Sequence, residues 1–348
     1  MSPAPSWHPD VFARRRPYLE ARGRITRTVR DWFAAQDFME VETSCLQVSP
    51  GLEPHLKAFQ TSLSEPFGEA QSPVYLHTSP EFAMKKLLAA GIPRLFQLAR
   101  CFRNEERSVT HHPEFTMLEW YRADAGLDDL MTDCEDLVKA ALQASGQTLF
   151  SWQGKTCDPM LPWQRLTVAE AFERYAGIDL MGTLSDADEP DPRPLAELAR
   201  NAGLYPQPED RWEDVFFRIF LERVEPQLGV NVPTFLTGYP LCMAALSKQD
   251  PNDPRLASRF ELYIAGLELA NAFQELTDSN EQRRRFERDQ SLKRKLYGDI
   301  YPIDEDFLSA VSHMPECAGI ALGFDRLVML AAQAACIEDV LWLPVSQG

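Results

Sequence analysis

The chain has 348 residues, 45% of them apolar and 25% charged, and carries a formal net charge of −17. That length predicts about two domains of roughly 150 residues or one large one, folded around a sizeable core rather than disordered. So acidic a chain is a poor general binder of nucleic acid, where affinity rests on Lys and Arg neutralising phosphates. No apolar run approaches the roughly 20 residues that span a bilayer, and "MSPAPSWHPDVFARRRPYLEARGR" has no signal-peptide pattern. Seven scattered cysteines, without a C-x-x-C pair or zinc-ligand spacing, fit a reducing cytoplasm and no structural zinc.

In chain order, Ile25, Val29, Trp32 and Phe33 predict an amphipathic helix over 23–36, followed by a short strand at "FMEVET" and a loop at "SPGLEPHLKAF". "VYLHTSPEFAMKKLLAAG" reads as a strand, a Ser79 cap, Pro80 at the first helical position, a helix and a Gly91 stop. "RLFQLARCF" is a strand running into "FRNE", and a helix covers 128–144. The proline- and acid-rich stretch 183–210 reads as a surface insertion without chemistry, and a helix over 212–228 returns to the core. "FELYIAGLELANAFQEL" predicts two strands around an Ala265-Gly266 turn, and "GIALGFDRLVMLAAQ" a strand passing into a helix. Hairpins and clustered helices, without strict βαβ alternation, argue for an α+β fold with a largely antiparallel sheet. The common phosphate cradles G-x-x-x-x-G-K-[ST] and G-x-G-x-x-G are absent. Basic stretches at 14–24 and 283–295 read as solvated helix faces or, alternatively, as docking surfaces.

The residues that can carry chemistry mix both signs of charge. With Ala265 and Gly266 as the turn, Tyr263 pairs with Glu268, and Glu261 shares their face diagonally. Two carboxylates so placed repel unless a cation sits between them, and Mg²⁺ suits oxygen ligands. Asn271, Phe273 and Glu275 share a face by their period of two, so bringing Glu268 into the same pocket requires a bulge near Leu269-Ala270. Alternatively, Glu261 and Glu275 belong to the polar face of an exposed sheet. Arg103 and Glu105, two apart on a presumed strand, share a face as anion binder and partner, or form an ordinary salt bridge. His111 or His112 offers itself to phosphate, Phe115 is a stacking surface, and Glu119 and Tyr121 lie on one face of the next strand. Arg326, at the start of the last helix, reaches a phosphate tail or pairs with Asp325 or a nearby loop.

Taken together, these stretches carry a resemblance. "TVRDWFAAQDFMEVET", "FRNEERSVTHHPEF" and "GIALGFDR" resemble motifs 1, 2 and 3 of the class II aminoacyl-tRNA synthetases. "TSPEFAMKKLL", "HPEFTMLEWY" and "ELANAFQELTD" are similar to the lysyl branch, and the resemblance spans about residues 20–345. It divides the chain into an N-terminal extension, 1–20, and a catalytic domain, 21–348, and implies a homodimer through motif 1. It also implies ATP and Mg²⁺ as cofactors, with formation of an aminoacyl-adenylate and pyrophosphate. Arg103 would hold the amino-acid carboxylate and the α-phosphate, Glu105 the adenine edge and His111 the phosphate tail, with adenine between Phe115 and Arg326. Glu261 and Glu268 would carry Mg²⁺. Glu81, Glu275 and Tyr121 would receive a side-chain ammonium, Glu119 and Asn271 would orient the second amino group and the carboxylate, and Phe273 would form a wall. On this reading the empty site, with six such glutamates against two arginines, is over-negative until two ammonium groups and metal arrive.

About twenty residues before the motif 1 helix leave no room for the anticodon-reading barrel of lysyl-tRNA synthetases. "FTMLEWYR", "ELANAF" and "GIALGFDRLVML" look closest to the paralogous ligases that attach (R)-β-lysine to a lysine of translation elongation factor P. Ala321 stands where the tRNA enzymes have glycine and those ligases alanine. The resemblance therefore implies (R)-β-lysine or lysine as substrate and elongation factor P, not tRNA, as acceptor. The alternatives are a minimal lysyl-activating enzyme that charges tRNA or another small acceptor, and a non-catalytic binding module. Two departures are Ser44 in place of the motif 1 proline, and Ala272 where the family has glycine.

Overall fold

A computed structural model describes residues 5–66, 71–185 and 189–346. Residues 1–4 of the predicted extension and 186–188 of the predicted insertion lie outside them. The main sheet has eight strands, β1 (Met39–Glu40), β2 (Arg94–Phe102), β3 (Glu114–Ala123), β4 (Gln164–Thr167), β5 (Thr234–Pro240), β6 (Leu256–Ile264), β7 (Leu267–Gln274) and β8 (Cys317–Gly323). Their order across the sheet is β1-β2-β3-β8-β7-β6-β5-β4. Only the outer pairs, β1 with β2 and β4 with β5, run parallel. The helices are α1 (Pro9–Ala35), α2 (Glu81–Ala89), α3 (Leu127–Ser145), α4 (Val168–Ala176), α5 (Pro192–Asn201), α6 (Trp212–Ile219), α7 (Ser279–Tyr297), α8 (Glu305–Val311) and α9 (Phe324–Ala331). The α+β expectation holds.

Alternation along the strands sends successive side chains to opposite faces. Phe96, Leu118, Trp120, Ala272 and Ile320 point one way, into a core shared with Ile25, Val29 and Phe33 of α1 and with α3 and α9. The other face carries Leu95 and Tyr121 toward α2, α7 and α8, and that is where the cavity lies. A second core gathers Leu166, Phe172, Leu195, Ala199 and Phe216 around α4, α5 and α6.

Three local expectations are corrected here. The first helix is not confined to 23–36 but begins at Pro9, with Pro17 inside it. Its polar residues are anchored: Arg15 donates to the backbone oxygens of Glu338 and Leu341, and Arg22 pairs with Asp325 at 2.5 Å and donates to Thr116 Oγ1 at 2.9 Å. The stretch 183–210 is not featureless surface, because α5 inside it buries Leu195, Ala196 and Ala199. Finally, α2 starts at Glu81, one residue later than expected, and the Ser79 hydroxyl accepts from the Glu81 amide at 3.0 Å.

The two basic stretches are largely consumed internally. On α7, Arg283 pairs with Glu305, and Arg285 holds Glu281 together with the backbone oxygens of Ala245 and Ser247. All seven cysteines are free. Among the described residues no helix is long and apolar enough to cross a membrane.

Candidate active site

The cavity, of about 340 Å³, is built on the register of five strands. Gln97 pairs with Glu119, Glu119 with Ala321, Ala321 with Asn271 and Asn271 with Glu261, which makes one transverse row on one face. A parallel row runs Leu95, Tyr121, Gly319, Phe273, Arg259. Gly319 is obligatory in it, since a Cβ there would lie 2.3 Å from the Tyr121 ring and from Glu275 Oε1. Leu262 pairs with Ala270 but Tyr263 with Glu268, so Leu269 is the extra residue of a bulge. The bulge reverses the parity of Glu268 and puts it on the cavity wall with Asn271, as the spacing predicted. Ala272 has the other parity and is buried in the main core, away from the cavity.

One end of the cavity is cationic. Arg103 makes two long contacts, to Thr78 O at 3.4 Å and to the Glu106 carboxylate at 4.0 Å, and its guanidinium lies over the Phe115 ring, 5.2 Å from the centroid. Arg326 does not pair with Asp325, which is taken by Arg22 and by the Thr116 amide. It donates instead to Glu268 O at 2.8 Å and to His111 Nε2 at 2.7 Å. Because arginine only donates, Nε2 is the acceptor and the His111 proton sits on Nδ1, 2.9 Å from Ser108 Oγ. Burial, then Arg326 and Arg103, pull the imidazole down to about 4, so at neutral pH it is uncharged. His112 is structural: it is buried, its Nδ1 faces Glu114 O at 2.6 Å and its Nε2 accepts from the Val345 amide.

The other end is anionic and largely buried. Glu119 is fully buried and accepts from the hydroxyls of Ser79 (2.6 Å) and Tyr121 (3.1 Å). Burial, reinforced by Glu81, pushes its carboxyl up to about 8. Asn271 Oδ1 is buried without a hydrogen-bond partner, an orphaned acceptor facing a cavity. Glu81 and Glu275 converge, each 2.5 Å from Nζ of the buried Lys85. Burial would depress that ammonium, but Glu275 and Glu81 outweigh it and hold it above its ordinary value. Burial raises Glu275 more than Lys85 lowers it, leaving it at about 8.

Lys85 went unnoticed in the sequence because lysine on a helix usually marks a solvated face. Its signal was the i,i+4 spacing from Glu81. It also corrects the expected charge balance, because part of the excess negative charge is already met from within the chain.

Glu261 is not on an exposed polar face. It accepts from Arg259 and from the hydroxyls of Tyr239 and Tyr263. Glu268 is 39% exposed in its side chain, with Arg326 4.0 Å away. Partial burial, then the like charge of Glu261, raises its carboxyl above the ordinary range. A divalent cation would relieve that repulsion, and the oxygen donors fit Mg²⁺ with Glu268 as the free ligand and Glu261 as nearby charge. Among the described residues no cluster of three or more His, Cys, Asp or Glu forms a protein-only metal cage. Phosphate and water oxygens would therefore complete the sphere.

Three predicted site residues, Glu105, Glu119 and Glu261, do not line the cavity wall; Glu119 and Glu261 stand in the transverse row beside Ala321 and Asn271, which do, while Glu105 is turned away. The strand ends at Phe102, Glu105 has φ +65°, and its side chain, 64% exposed, pairs with Lys57 at 3.0 Å. Glu106 lines the cavity in its place, as does Glu53, which the sequence reading passed over.

The family described as tRNA synthetases class II (D, K and N) matches residues 12–347. The elongation factor P–(R)-β-lysine ligase of Erwinia tasmaniensis is 38% identical over 348 residues, covering 100% of both chains. Proteins of the same name from Proteus mirabilis and Photorhabdus laumondii are 37% and 38% identical, over 99% and 100% of each chain.

Proposed function

The chain belongs to the class II tRNA synthetases (D, K and N), and on that premise we propose that it activates (R)-β-lysine with ATP and transfers it to a lysine side chain of translation elongation factor P. Curated relatives bearing that activity in their names match it end to end. The observation that carries the reading is the polarity of one cavity: Arg103 and Arg326 stand at one end, and Glu81 and Glu275 at the other, with buried Glu119 behind Ser79 and Tyr121 of its wall. Such a site suits a diamino acid laid beside a nucleotide triphosphate. Glu119 and the orphaned Asn271 oxygen would take one amino group, and the Glu81–Lys85–Glu275 cluster the other.

In the first step an oxygen of the amino-acid carboxylate attacks the α-phosphorus, and the bond to pyrophosphate breaks. Arg103 would steady the carboxylate and α-phosphate, Arg326 and neutral His111 the phosphate tail, and Phe115 the base. Glu268, beside Glu261, would hold Mg²⁺, which supplies charge neutralisation on the phosphates. Catalysis is then positioning and electrostatic stabilisation. In the second step the acceptor amine attacks the carbonyl carbon and AMP leaves.

The test is to mix the protein with ATP, Mg²⁺, (R)-β-lysine, unmodified elongation factor P and tRNA, and weigh the products. A lysyl-sized gain on the protein acceptor alone is the expected result, and charged tRNA with unchanged protein would overturn it. Ala321, between Glu119 and Asn271 in the transverse row, lines the cavity, where its methyl group would meet the substrate backbone. Ala321→Gly is expected to shift preference toward α-lysine by roughly tenfold in kcat/KM, the scale of one methyl group in a pocket. Equal preference in both forms would sink that role. We also propose a homodimer, supported by Met39 (55% exposed) on the motif 1 segment and Val48 (55% exposed) shortly after it, and checked by light scattering, with the cytoplasm as its location.

A further inference from the structure

Resting on that function, we propose that Glu53 accepts the proton of the acceptor lysine's ammonium group, and that this side chain enters through the larger cavity next to the substrate pocket. With an ordinary pKa of roughly 10.4, only about one lysine in 10³ is a free amine at neutral pH. The nucleophile must therefore lose a proton beside the adenylate. Glu81, Glu119 and Glu275 are engaged with ammonium groups and cannot serve.

Glu53 lies where two cavities meet, lining both the 340 Å³ pocket and a neighbouring one of about 520 Å³. Its Oε2 is fully enclosed and has no hydrogen-bond partner. The carboxylate is held in place rather than loose. It sits against the bare Cα of Gly51 (φ +108°), where a Cβ would come within 2.6 Å of Oε2. The following loop is pinned by buried Lys293, which donates to the backbone oxygens of Glu53 (3.3 Å), Pro54 (3.0 Å) and Leu56 (2.5 Å).

Burial, then Glu81, raises the Glu53 carboxyl, while Arg103 pulls it down. It therefore lies within electrostatic reach of both ends of the bound amino acid, with a proton affinity moved toward the working pH of a general base. The larger cavity suits a lysine side chain. Leu52, Phe217 and Leu292 offer apolar wall to the methylenes. Glu213 and Asp289 on that wall are paired with Arg211 and Arg288, yet carboxylates outnumber arginines in the lining, so an incoming ammonium meets net negative charge there.

The step balances as follows. One ammonium proton passes to the Glu53 carboxylate, and the freed lone pair forms the C–N bond. The C–O bond to phosphate breaks with its electron pair going to the phosphate oxygen, and the second N–H proton leaves with AMP or to water.

The experiment separates the two half-reactions. Pyrophosphate exchange and single-turnover transfer from preformed adenylate are measured for wild type, Glu53→Gln and Glu53→Asp, with melting temperatures to confirm folding. Relative to exchange, transfer by Glu53→Gln is expected to fall about 10²-fold at pH 7.5, the scale of general-base catalysis. The deficit should shrink to a few-fold near pH 10 as the acceptor deprotonates unaided, and Glu53→Asp should recover part of it. A deficit that is absent, constant with pH or equal in exchange would overturn the role of Glu53. If wild type neither exchanges with (R)-β-lysine nor transfers it, the proposed function itself falls instead.

Discussion

Replacing Lys85 with methionine is expected to destabilise the empty protein by about 3–5 kcal/mol at pH 8, the usual cost of stripping one partner from a buried ion pair. The reason is local: Lys85 is buried, and its Nζ is 2.5 Å from both Glu81 and Glu275. The loss should be smaller at pH 6, and the sign can be worked out. Without Lys85 the folded-state proton affinity of Glu275, already near 8, rises further above its unfolded value. Between the two values the folded state binds more protons than the unfolded one, so stability falls as pH rises. At pH 6 the carboxyl takes a proton at modest cost, and at pH 8 at greater cost. Urea melts of both proteins at the two pH values check this. A loss independent of pH would mean that Lys85 matters only for packing.

The second large effect is on binding. At pH 7.5, uptake of a diamino acid is expected to release roughly one proton per protomer, because Glu119, at about 8 in the empty site, ionises against an incoming ammonium group. Between pH 6 and 8 affinity should rise by up to about tenfold per pH unit for each proton released, flattening above 8 as the carboxyl empties unaided. Titration calorimetry in buffers of different ionisation enthalpy reads the proton count directly. Glu119→Gln should reduce the count and weaken binding by roughly 10–150-fold, the worth of a hydrogen bond to a charged group. A count of zero in wild type would show that this carboxylate is already ionised, and the account of the site's electrostatics would have to change.

Much of the architecture was legible because it is written in periodicity. The hairpin around Ala265 and Gly266, the helix after "TSPEF" and the strand into helix at the C-terminus all follow from spacing and punctuation. Even the bulge at Leu269 was readable, since two carboxylates of opposite parity can meet in one pocket only through an extra residue. What could not be read was where polar chains find distant partners. Arg15 and Arg22 make the front of α1 look solvated, yet both are buried against segments more than 300 residues away. Pro190, Pro192 and Pro194 disguise α5, although a helix tolerates proline in its first turn and Leu195, Ala196 and Ala199 form an apolar face. Glu105 was placed on a strand that stops at Phe102, an error of a few residues that turns the side chain outward to Lys57. Glu53 gave no signal at all, because a glutamate in a Pro- and Gly-containing loop looks like ordinary surface.

The transverse row has a consequence for how such a protein can change. Glu119, Ala321, Asn271 and Glu261 come from four strands, each positioned by its own backbone ladder, and none of the four relies on a side chain of the other three. Exchanging one therefore leaves the positions of the others intact, much as one key can be swapped without moving the keyboard. A lineage with this sheet can try new amino acids by single substitutions while the phosphate end goes on working unaltered. Sister enzymes of different taste can diverge from one scaffold through viable intermediates.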